Sequence, residues 1–431
     1  MRVGRVAALA VTALCLAYAP VAATELWPYA RPGAPALGEW ILAHTVSAEY
    51  VAEALAGRVG PYGRSLIPLI VHSVLGGLLM LLGPLQLLTA RRGRIRAHRI
   101  LGALFAGTVL VSMAGAAVYL ARTAPADAFS GPAFWIVLAT ILVGTVGAVV
   151  LGVAAALARM PDLHQRWMLL CWGFLMTAPL LRLEWGGLPR LFPGDLSMAE
   201  INTLAIAHLG LLVTFGALLG SRALDRRAFV PGVRGTWTPW PVLLAAHLLG
   251  AGAVAVLLAQ VWAQGQAGQR LAGAWLVPYL LCHGALAFAA RRAGRRGRVW
   301  PREEWRTHLV ASALSPALSL AVLVPFERAL HLDRATALVA ALAVGAGLVS
   351  FGAVSVVGLR LLYARELVRR GQADGDGDGD GVGEGRAVGD GAVAGAGAGG
   401  GAGGVPGVGA GAATGAGFGV GSSGAGGAVG V

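Results

Sequence analysis

Ten apolar stretches recur along this chain, at about 6–23, 66–88, 100–121, 133–157, 167–183, 200–221, 241–263, 271–290, 308–326 and 335–362. A helix needs about 20 such residues to cross the hydrocarbon of a bilayer. The recurrence therefore predicts an all-α fold, a polytopic transmembrane helix bundle of about ten spans in the cell membrane. Composition agrees. The 431 residues are 56% hydrophobic and 13% charged, with a mean hydropathy of +0.69. A soluble domain carries about 25% charged residues, so a soluble enzyme is excluded.

All 34 basic residues are arginine, and the net charge is +13. Without lysine there is no phosphate-loop lysine, no Schiff base and no lysine general base. The signatures HExxH and GxSxG are also absent, and no catalytic residue is assigned. A basic chain can signal nucleic acid. Here the arginines sit in short loops between apolar runs, which fits membrane orientation better. With the N-terminus inside, alternate loops on the cytoplasmic side hold most of the arginines, including the cluster Arg91, Arg92, Arg94, Arg96 and Arg99. The positive-inside rule then predicts that both termini are cytoplasmic. The same loops are expected to contact anionic lipid. Trp135, Trp167, Trp185, Trp240, Trp262 and Trp275 fall near span ends, as an interfacial belt requires.

Four regions follow. Residues 1–65 hold a first span, either an anchor or a cleaved signal, and an external loop with a short helix expected around 39–56. Residues 66–235 form a His-containing membrane core, and 236–370 a second region of four spans. Residues 371–431, almost entirely Gly, Ala, Val and Asp, cannot bury a core and are expected to be disordered. Cys15, Cys171 and Cys282 lie in apolar runs with no CxxC pair and read as packing residues. Gly216 and Gly220 form a GxxxG that permits close helix approach.

The chemistry rests on histidine and arginine, since no span holds Asp or Glu in its apolar interior. Ion-coupled transport loses weight on that ground. His72 is six residues into its span and His208 eight past Glu200 in another, depths of about 9 and 12 Å at the helical rise. His98 and His164 share the opposite boundary. Two histidine pairs at two levels of a helix bundle match the ligation of a b-type dihaem carrier, so haem b enters as a candidate cofactor with His72, His208, His98 and His164 as ligands. Each histidine can equally hydrogen-bond a neighbouring helix and do nothing more. His247 and His283 share a further level. Arg166 and Arg182 stand about 24 Å apart along one helix, placed either to grip a carboxylate such as a propionate or to snorkel to headgroups.

The segments His72-Ser73-Val74-Leu75-Gly76, Gly83-Pro84-Leu85-Gln86 and His98-Arg99-Ile100-Leu101-Gly102 resemble a bacterial membrane-protein family known as domain of unknown function 2306. His164, Arg166, Trp167 and Met168, then Leu181-Arg182, extend the resemblance, which covers about 66–185, with the sixth span a candidate to extend it. It implies no activity. It adds Gln86, Arg99, Arg166, Trp167 and Arg182 to the candidate site residues. Three functions stand: a multi-pass integral membrane protein with an intramembrane His/Arg site and a structural role, a haem-binding electron carrier, or a transporter of small molecules or lipid built on a polar cavity with Gln86.

Overall fold

The computed structural model describes residues 2–91, 94–191, 196–233 and 235–377. Among them all regular structure is helical. The elements are α1 (Arg2–Thr24), α2 (Trp27–Ala30), α3 (Leu37–Thr45), α4 (Ala48–Gly63), α5 (Leu66–Arg91), α6 (Ile95–Arg122), α7 (Gly131–Leu157), α8 (Pro161–Leu191), α9 (Met198–Leu224), α10 (Trp240–Trp262), α11 (Gly265–Arg295), α12 (Val299–Ala329) and α13 (Arg334–Gly377). Nine candidate spans among the described residues have the length and apolarity to cross a membrane. The fifth expected span falls in α8, which misses that composition because it carries Asp162, Arg166, Arg182, Glu184 and Arg190. At 31 residues α8 is still about 46 Å long, enough to cross. The chain is a polytopic helical membrane protein.

Between α1 and α5, the stretch where one helix was expected around 39–56 holds two, α3 and α4, preceded by the short α2. Ser47 breaks the run with an extended backbone, and its hydroxyl accepts from the Tyr50 N–H at 3.1 Å to cap α4. α13 continues to Gly377, past residue 371 where the low-complexity segment begins. The rest of the expected tail, 378–431, lies outside the described residues.

α9 is central, packing on α7, α8, α11 and α13, and α13 packs in turn on α12 and α7. Small residues allow this. Ala337 to Leu342 of α13 are all buried, and short side chains let helix axes approach. Gly77 shows the constraint on α5, since a Cβ there would lie 2.7 Å from the Ala19 carbonyl oxygen of α1. The Gly216 and Gly220 pair is not used this way, because nothing lies within 4 Å of a Cβ at either position. Cys15, Cys171 and Cys282 are free and buried.

Candidate functional site

A cavity of about 240 Å³ opens among α1, α4, α5, α6, α7, α8, α9 and α13. Its wall is mostly apolar, with Leu79, Met113, Phe134, Phe174 and Leu209 among its lining. Its polar groups include His72, Ser112, Glu25, Arg58 and Arg182.

His72 is fixed by α6. Its Nδ1 lies 3.0 Å from the Ser112 carbonyl oxygen and 3.0 Å from Ser112 Oγ, which also bonds the His72 carbonyl oxygen at 3.0 Å. A ring nitrogen facing a carbonyl must donate, so in the neutral ring Nδ1 carries the proton and Nε2 keeps the lone pair. Gly115 makes this closeness possible, since a Cβ there would stand 2.4 Å from the Pro68 carbonyl oxygen and 3.2 Å from His72 Cβ.

Arg182 donates to Glu25 in a short ion pair. It also lies over the Trp185 ring at 4.5 Å, and Arg58 lies over the same ring at 4.6 Å. Trp185 is anchored for this role: its indole N–H donates to Asn202 at 2.5 Å and its carbonyl accepts from Tyr50 at 3.2 Å. Arg58 is 5% exposed, with Phe129 on its other side at 4.3 Å. Its Nη2 points at the Met198 sulfur, 2.9 Å away, and no carboxylate lies within ion-pair distance among the described residues. The Nε atoms of Arg58 and Arg182 are both buried without an acceptor.

The other expected residues are distributed as follows. His208 does not line the cavity; its Nε2 pairs with Glu184 at 2.7 Å and its Nδ1 faces the Leu204 carbonyl at 3.3 Å. His98 and His164 are brought together, with ring centroids 6.3 Å apart and edge to face. Gln86 donates to the His98 carbonyl at 3.1 Å, and His164 Nδ1 bonds the Gly152 carbonyl at 2.8 Å. Arg99 is exposed. Trp167 is 4% exposed and packs on Phe351 of α13 at 4.9 Å. His247 and His283 also meet, at 5.1 Å between centroids, with Ser312 Oγ 3.2 Å from His283 Nδ1.

Arg166 does not reach headgroups. It is 1% exposed and forks onto Glu304 with two hydrogen bonds of 2.7 Å, while Nη2 also reaches Asp225 at 3.1 Å. Arg222 joins both carboxylates, at 2.9 Å to Asp225 and 3.2 Å to Glu304. Glu303 and Glu304 lie outside the apolar runs expected from the sequence, the nearest of which begins at 308. α12 begins at Val299, so Glu303 and Glu304 lie inside it, and both are fully buried. Arginine neutralisation is what makes that burial tolerable. Burial pushes Asp225 up, but hydrogen bonds from Arg227 and the charges of Arg222 and Arg166 outweigh it and hold the carboxyl well below its usual range.

Sequence reasoning singled out neither Arg58 nor Glu304. For Glu304 a signal was present, in the acidic pair set between Trp300 and Trp305 at the mouth of an apolar run.

The stretch from α5 to α9 carries His72, His98, His164 and His208, of which His98 and His164 face each other. Residues 69–217 match the family described as predicted membrane protein, DUF2306. The match reaches into α9 and so takes in the sixth expected span. The DUF2306 stretch contains His72, Arg166 and Arg182, whereas Glu25, Arg58 and Glu304 lie outside it. No curated protein and no solved structure matches the chain.

Proposed function

We propose that this integral membrane protein holds a small amphipathic molecule in the cavity beside His72 and Arg182, as a carrier or lipid-handling protein. The observation that carries the reading is the cavity itself: an apolar chamber with a few convergent polar groups, the usual form of a small-molecule site. Scaling from a 150 Å³ cavity that takes benzene, about 240 Å³ accommodates about ten non-hydrogen atoms. Gly76 offers a test, because it lines the chamber and a Cβ there meets nothing within 4 Å. Radiolabelled decanol should bind saturably to the purified protein in phosphatidylcholine nanodiscs, and Gly76→Phe should abolish it. No saturable binding above empty discs would overturn the reading.

A second reading, a b-type haem held by His98 and His164, draws on their ring separation of 6.3 Å and on the buried, unpartnered His98 Nδ1. A Soret absorbance in the purified protein that disappears in His98→Ala and His164→Ala supports it. A colourless protein purified from haem-supplemented cells sinks it.

A further inference from the structure

We infer that the cavity selects a monoanion, an amphiphile with one carboxylate whose head meets Arg58 and whose chain of about ten atoms fills the apolar chamber. The inference rests on the cavity being a binding site.

The charge count carries the argument. Among the described residues, Glu25, Arg58 and Arg182 are the charged side chains lining the chamber. Glu25 is committed to Arg182. Arg58 is therefore the surplus cation, 5% exposed, between two aromatic faces and without a carboxylate. Glu39 lines a smaller adjoining pocket with Arg58, not the chamber; its charge acts on Arg58 through space, but among the described residues the two make no ion-pair contact. A buried cation with no carboxylate in contact is costly. Ring quadrupoles offset part of that cost, but a thioether sulfur is a weak acceptor, and the Nε–H has none.

One surplus positive charge matches one negative charge. A phosphate dianion would need a second free arginine, and Arg182 is already held by Glu25. A planar carboxylate also matches the guanidinium edge, which donates through two parallel N–H groups. The unpartnered Nε of Arg182 supplies a further donor at the same end of the chamber.

The test compares decanoate with decanol, which share chain length and differ in head charge. Radiolabelled decanoate bound to wild-type protein in phosphatidylcholine nanodiscs should show a Kd at least tenfold below that of decanol. Arg58→Gln should remove the preference yet keep decanol binding, and Arg58→Lys should restore part of it. Decyl phosphate should bind no better than decanoate. Equal Kd values for decanoate and decanol in the wild type would overturn the anion assignment while leaving the cavity reading intact. Failure of both to bind would overturn both. The wild-type comparison needs no variant, so a misfolded Arg58→Gln does not protect the proposal.

Discussion

Arg166 and Glu304 lie 138 residues apart and meet through two parallel hydrogen bonds of 2.7 Å, with both side chains sealed from solvent. The pair ties α8, inside the family-matched stretch, to α12 outside it. Arg222 and Asp225 complete a cluster in which Glu304 meets two arginines and Asp225 three, the third being Arg227. Removing one partner of a buried ion pair strands the other charge, at a cost of about 3–5 kcal/mol. Glu304→Gln should therefore lower the thermal midpoint of the detergent-purified protein sharply. Arg166→Leu with Glu304→Leu should lose less, because it leaves the Arg222–Asp225 pair balanced. A double variant no better than the single one would contradict this account.

Asp225 makes the cluster pH-dependent. Its carboxyl is held below its usual range in the folded state. A depressed carboxylate contributes stability that is present above its unfolded value of about 3.9 and is lost as pH falls toward the folded value. The thermal midpoint should hold near neutral pH and fall once the pH drops below about 4. Asp225→Asn should lower the midpoint at pH 7 and flatten the acid decline. An unchanged profile in Asp225→Asn, measured by thermal unfolding across pH, would remove Asp225 from the explanation.

Gly76, which lines the chamber, and Gly115, packed behind His72, should behave differently. Gly115→Leu drives a side chain into the Pro68 carbonyl and His72. Overpacking of this kind costs about 1–3 kcal/mol. The thermal midpoint should drop and decanol binding should weaken. Gly76→Ala meets nothing and should leave the midpoint unchanged or slightly raised. Equal effects from the two would mean that α5 and α6 are not packed as described.

The arginine distribution makes a testable claim about orientation. A periplasm-sensitive reporter fused after Arg96 should report the cytoplasm, and one fused after Asp127 the outside. The reverse pair of signals would invert the arrangement, and identical signals would remove α6 as a span.

The helical membrane fold was legible because hydropathy is local: each apolar run announces its own helix whatever surrounds it. His72 was legible for the same reason, since an imidazole in an apolar run must find a partner. Which partner was not. Ser112 lies 40 residues on, and only the close approach allowed by Gly115 brings it to Nδ1. For His208 the sequence offered only a position along its helix, which says nothing of rotation about it, and the ring faces Glu184. Glu304 was hidden because its charge is cancelled by arginines from other helices, a compensation that no window of sequence contains. The sequence by itself determined that the chain crosses a membrane many times and that histidine and arginine are its chemical resources. Tertiary packing alone decided which arginine is spent and which is free: Arg166 and Arg182 found carboxylates on distant helices, and Arg58 found two aromatic rings and the edge of a cavity.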